Sequence, residues 1–172
     1  KTDKMKNIMI EVLRMALEKY NFDLNQYTVM DNHFHFIIKT KKDGETISRI
    51  MQFIKSQYAQ RYNWLLHRTG PFWNESFTDI IVEQQAETDE YHSVLKPYVG
   101  LNPVRSGYVR DPRAYRYSSY RCFFDPHYVP PIRITFSDYF LKSGNTFEER
   151  ANKFLENENG ESCDDGNVTA GD

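Results

Sequence analysis

The feature that most constrains this chain is a change of hydrophobic period near its start. Met5, Ile8, Met9, Val12, Leu13, Ala16 and Leu17 recur at three- and four-residue spacing, one face of a helix that ends near Tyr20-Asn21. Leu24 to Met30 and Phe34 to Lys39 then read as two β-rich runs, parted by a hairpin-like break at Asp31-Asn32. Strand side chains alternate between faces. In Asp31-Asn32-His33-Phe34-His35-Phe36-Ile37-Ile38 the two imidazoles therefore project from one face, and Phe34 and Phe36 from the other. Two imidazoles on one face of a rigid strand suit a metal ion. The same spacing also serves satisfied structural histidines, and the pair alone does not decide.

Further along, Lys42-Asp43-Gly44 turns the chain, and Thr46 is placed to cap a long helix carrying Ile47, Ile50, Met51, Ile54, Tyr58, Tyr62 and Leu65. Gly70-Pro71 ends that region, Phe77 to Val82 reads as a third strand, and Thr88 or Asp89 can cap a helix running to Leu101. Asn102-Pro103 closes this helix, because a residue before proline is pushed out of the helical region. Pro97 lacks an N–H and clashes with the preceding turn, so a kink or a restart is expected at Tyr98, and Gly100 loosens the same turn. From there to about Phe124 the chain is turn-rich, and Ser137 to Phe154 holds one or two short helices. The order helix, strand, strand, helix, strand, helix predicts an α+β fold, with helices on an antiparallel ferredoxin-like or RRM-like sheet. The chain opens at Lys1 almost directly on a helix, so an N-terminal strand is expected to be missing.

The chain of 172 residues is about the size of one domain. Its net charge of -2 argues mildly against a nucleic-acid binder. The acids, however, crowd into the last stretch, 155–172, which has no Lys or Arg and few large apolar residues. That stretch reads as a disordered acidic tail, and the remainder is net positive. Residues 1–124 then form the main domain, and 125–154 an extension with short helices. Cys122 and Cys163 fit no metal-ligand spacing and suggest a reducing cytosol, and no apolar run is long enough to span a membrane. The 12 Tyr and 12 Phe could stack on unpaired bases, although most should be core.

A second chemical feature is Lys96-Pro97-Tyr98-Val99-Gly100-Leu101-Asn102-Pro103-Val104-Arg105-Ser106-Gly107. Residues four apart on a helix share a face, so Tyr98 and Asn102 lie together. Val29 to His35 resembles the His-hydrophobic-His (HUH) strand of the IS200/IS605-like Y1 transposases. Tyr98 to Gly107 resembles their tyrosine helix, in the form seen in the REP-associated tyrosine transposase branch. Arg113-Ala-Tyr-Arg-Tyr-Ser-Ser-Tyr120 resembles the segment that follows it there, with Tyr117 where Trp is usual. Gly70-Pro-Phe-Trp73 is similar to the linker before the last strand. The four motifs stand in the family's order and spacing, from the first helix to about Phe124.

The resemblance implies that His33, His35 and Asn102 hold one divalent cation, Mg2+ or Mn2+. It also implies that Tyr98 attacks single-stranded, hairpin-forming DNA to give a 5′-phosphotyrosine and a free 3′-OH. Such enzymes work in the bacterial cytoplasm at the nucleoid, as dimers or monomers according to branch. Arg105, Arg113, Arg116 and Arg121 are candidate phosphate contacts; the bland reading is that long basic side chains decorate any surface. Two departures concern the tyrosine helix, Pro97 and Gly100. A third is Trp73-Asn-Glu-Ser-Phe77, which lacks the basic residue usual in that stretch and sets Glu75 awkwardly for a phosphate backbone. They keep open a non-catalytic nucleic-acid-binding module of the same fold. A replication-initiator-type HUH endonuclease shares the chemistry but not the order of the segments after the tyrosine. His67, His92 and His127 read as surface or structural.

Overall fold

The computed structural model describes residues 2–70, 72 and 88–160. It is an α+β fold built on an antiparallel pair, β1 (Phe22–Val29) and β2 (Phe34–Thr40), preceded by α1 (Thr2–Lys19) and followed by α2 (Ile47–Leu65). The helix–strand–strand–helix order fits the ferredoxin-like arrangement expected. The third strand expected over Phe77 to Val82, and Glu75 with it, lies outside the described residues. After them come α3 (Thr88–Arg105), short 3-10 turns at Pro112–Ala114 and Tyr120–Phe123, α4 (Asp138–Lys142) and α5 (Phe147–Gly160).

The apolar stripe of α1 is fully used: Met9, Val12, Leu13 and Ala16 are buried against Ile50, Met51 and Ile54 of α2 and against Leu24, Tyr27 and Val29 of β1. Thr46 caps α2 as its sequence suggests, its hydroxyl accepting the Arg49 N–H at 3.3 Å. The β1–β2 register pairs Tyr27 with Phe36, Thr28 with His35 and Val29 with Phe34, with a shift between Leu24 and Gln26. Cross-strand partners share a face. Tyr27, Val29, Phe34 and Phe36 therefore face α1 and α2, whereas Gln26, Thr28 and His35 face the opposite way, toward α3.

The free edge of β1 is covered by the segment after α3. Val29 N–H donates to the Tyr117 carbonyl at 2.9 Å, and Ser119 N–H donates to the Tyr27 carbonyl at 3.0 Å. A second aromatic cluster, Tyr120, Phe123, Phe140 and Phe154, packs α4 and α5 beside it.

Three expectations need correction. Helix α3 neither restarts at Tyr98 nor closes at Asn102; it runs through Pro97 and Pro103 to Arg105. A proline deletes one donor, and tertiary contacts can hold the remaining ladder together; at Pro103 the open carbonyl finds a partner outside the helix, as described below. Gly100 does not merely loosen its turn. The Tyr120 ring lies where a side chain would go, so that an added Cβ would stand 2.0 Å from Tyr120 Cδ2. Finally, α5 carries helix to Gly160, into the stretch expected to be a disordered tail, because buried Phe154 anchors its last turns. Residues 161–172 lie outside the described residues.

Candidate active site

The His strand and the tyrosine helix meet on the α3 face of the sheet. Asn102 is buried on α3 with its amide between the two imidazoles: His33 Nε2 lies 3.1 Å from Asn102 Oδ1, and Asn102 Nδ2 donates toward His35 Nε2 at 3.1 Å. The His33 and His35 rings stand edge to face with centroids 5.0 Å apart. Tyr98, one helical turn before Asn102, sets its ring edge to face with His35 at 5.7 Å and remains 40% exposed. A nucleophile has to be reachable, and this ring is.

Burial, with a smaller contribution from His33, pushes the His35 imidazole down to about 4. His35 is therefore neutral near pH 7 and keeps a lone pair for a ligand role. His33 sits between two oxygens, with Nδ1 2.8 Å from Asn32 Oδ1 and Nε2 facing Asn102. A neutral imidazole has one N–H. With the proton on Nε2, His33 donates to Asn102 Oδ1; with the proton on Nδ1 and donated to Asn32, Nε2 keeps a lone pair for a ligand. Two imidazole nitrogens and an amide oxygen then converge, a mixed donor set that fits a divalent cation such as Mg2+ or Mn2+. The third donor is an amide; among the described residues no group of three or more His, Cys, Asp or Glu could hold a metal.

The turn bearing Asn32 is itself tied down. Lys6 of α1 is buried, pairs with Asp31 at 3.0 Å and lies 4.8 Å from the Tyr117 ring centroid. That ion pair holds the Asp31 carboxyl below its usual range. A model of the family described as "Transposase IS200 like" matches residues 1–99, more than half of the chain. The chain belongs to the IS200-like transposases. No curated protein and no solved structure matches it.

Membership of this transposase family makes DNA the partner. The family match takes in His33, His35 and Tyr98, while Asn102 and the segment to Tyr120 lie beyond it. Of the candidate phosphate contacts, Arg105 stands at the tyrosine, its guanidinium 5.2 Å from the Tyr98 ring centroid. Arg113 is held by Asp111 at 2.9 Å and Arg121 by Asp125 at 2.8 Å, while Arg116 lies over Tyr117 at 5.0 Å. Sequence reasoning gave no role to Lys6, Asn32, Gln26 or Thr28 in this transposase. Gln26 and Thr28 carried a weak signal: they are polar residues two apart on the face of His35, although Asp23 and Asn25 are polar in the same strand.

Proposed function

We propose that this transposase cleaves and rejoins single-stranded, hairpin-forming DNA through a covalent phosphotyrosine, with a divalent cation bound by His33, His35 and Asn102. One observation carries the reading: a single buried amide from the tyrosine helix bridges both imidazoles while the Tyr98 ring lies against one of them. His33 Nε2, His35 Nε2 and Asn102 Oδ1 are the groups that would hold the cation. When bound, the cation supplies Lewis-acid polarisation of a phosphoryl oxygen.

The chain's own groups account for the rest. The Tyr98 oxygen attacks phosphorus and gives up its proton to solvent. The bond from phosphorus to the 3′ oxygen breaks, and that oxygen takes up a proton as a free 3′-OH. The 5′ phosphate stays on Tyr98, so attack by a 3′-OH reverses the step and rejoins a strand without ATP. Arg105, beside the Tyr98 ring, is suited to the phosphate's charge. A phenol is a weak nucleophile near pH 7, so holding it against the site is most of what the protein contributes.

The competing non-catalytic module rested on Pro97, Gly100 and Glu75. Helix α3 is continuous across Pro97, and Gly100 accommodates a packed ring, which leaves Glu75 as its remaining motive. The test is hairpin single-stranded DNA with Mn2+ on a denaturing gel. Wild type should form a protein–DNA adduct that Tyr98→Phe, His33→Ala and removal of Mn2+ each abolish. Hairpin binding with no such adduct would leave the non-catalytic module standing.

A further inference from the structure

Each carbonyl in a helix body accepts the N–H four residues on. Pro103 has none, so the carbonyl of Val99, the residue after Tyr98, loses its helical donor. The Thr28 hydroxyl replaces it, donating to the Val99 carbonyl at 2.9 Å. Thr28 is the cross-strand partner of His35, so this bond runs from the tyrosine turn to the strand position opposite a candidate ligand.

The remaining bonds take their direction by elimination. A carbonyl only accepts, so Thr28 uses its single proton on Val99 and accepts from the Ser118 hydroxyl 2.9 Å away. Ser118 in turn accepts the Tyr120 N–H at 3.1 Å. All three residues are buried, where no water substitutes for a missing partner. Two residues earlier on β1, Gln26 donates to the Lys96 carbonyl at 2.9 Å. Helix α3 is thus gripped by β1 on both sides of Tyr98.

We propose that Thr28, backed by Ser118, is a positioning residue for strand cleavage. It fixes the register of Tyr98 and Asn102 against His33 and His35 by supplying the donor that Pro103 removes. A residue with an N–H at position 103 would satisfy Val99 within the helix and leave α3 one fewer tie to the strand. With proline there, the helix completes its own hydrogen bonding only when seated on Thr28. The inference rests on the reading of Tyr98 as nucleophile.

Three substitutions separate the possibilities. Thr28→Val keeps the shape and removes the donor, Thr28→Ser keeps the hydroxyl, and Pro103→Ala restores a backbone N–H for Val99. For each, the rate of adduct formation on saturating hairpin DNA is measured in a single turnover, together with affinity for the DNA and for Mn2+. A misplacement of reacting groups by about 1 Å costs on the order of a hundredfold, so Thr28→Val should be slower by about tenfold to a hundredfold with DNA affinity nearly unchanged. Thr28→Ser should react like wild type, whereas adding Pro103→Ala to Thr28→Val should leave the rate low, because Val99 is then satisfied within the helix while the tie to β1 is still missing. A hydroxyl that only satisfied the Val99 carbonyl would instead let the double variant recover its rate.

Thr28→Val at the wild-type rate overturns the inference, and so does a double variant restored to the wild-type rate. If Thr28→Val does not fold, Ser118→Ala decides, since it keeps the Thr28 hydroxyl and withdraws the group behind it together with the acceptor of the Tyr120 N–H; its rate must fall, and an unchanged rate overturns the idea. A wild type that forms no adduct sinks the reading of Tyr98 instead. The positioning role is then judged on Mn2+ affinity, which must drop in Thr28→Val, stay low in the double variant and be kept in Thr28→Ser.

Discussion

His33 lies between two amide oxygens, Asn32 Oδ1 and Asn102 Oδ1, and its tautomer decides which nitrogen is left for a ligand role. An acceptor at position 32 favours the proton on Nδ1, the usual arrangement of a histidine that ligates through Nε2. Asn32→Ala is expected to weaken Mn2+ binding by about tenfold to a hundredfold, whereas Asn32→Asp, which keeps the acceptor, should retain it. Paramagnetic titration of Mn2+ checks this, and equal affinity in Asn32→Ala would remove Asn32 from the account. His35 sets an acid limit of its own. Its imidazole protonates near 6.5 in the unfolded chain but only at about 4 in the fold. The unfolded state therefore binds the extra proton first. The contribution of His35 is complete above about 6.5 and is lost as pH falls toward 4. Urea midpoints of the metal-free protein in EDTA should fall over that window, and His35→Gln should flatten the fall.

Helix α3 contains two prolines and a glycine, a combination that by propensity alone argues against a continuous helix. Pro103 and Gly100 are answered by the strand and segment packed beside them. The carbonyl that Pro103 orphans is taken by Thr28, and the face that Gly100 leaves bare is occupied by Tyr120. The Tyr120 ring is itself fully buried, so it has no room to retreat from an added methyl. Gly100→Ala is expected to cost about 1–3 kcal/mol in urea denaturation, the usual range for overpacking. Paired with Tyr120→Leu, the loss should be smaller than the sum of the two single losses. Additive losses would mean that the two positions do not meet. The same contact explains why the segment after the tyrosine helix matters to the site without touching the histidines.

Two clusters of buried side chains make up the described molecule. One lies between α1, α2 and the sheet, and the other holds Tyr120, Phe123, Phe140 and Phe154. They are joined at the site, because Tyr120 belongs to the second cluster, rests on Gly100 and donates its N–H to Ser118 beside β1. Phe154 stacks on Phe123 at 4.8 Å and meets Tyr120 edge on at 5.7 Å. Phe154→Ala should cost about 3–5 kcal/mol, as truncation of a buried aromatic does, and should lower adduct yield at temperatures where wild type is still active. Calorimetry should give a single transition that moves as one. A separate early transition for α4 and α5 would mean that the C-terminal helices are not coupled to the site. No helix among the described residues is long and apolar enough to cross a membrane.

By itself the sequence determined the pieces whose information is local. The hydrophobic period marked α1, β1, β2 and α2, and Thr46 capped where its spacing said. His33 stands one residue before β2, yet its ring meets that of His35, and helical spacing put Tyr98 one turn from Asn102. Four ordered motifs were enough for the family, which the match over residues 1–99 bears out. Only the tertiary structure decided the fate of Gly100 and Pro103, because each is unfavourable within its own helix and is met by a partner outside it. Thr28 is 71 residues from Val99, and Ser118 is 90 from Thr28. A rule that reads neighbours along the chain sees a broken helix there. The physical reason is that a missing backbone donor can be replaced by any hydroxyl the fold brings within about 3 Å, and sequence separation carries no record of that meeting.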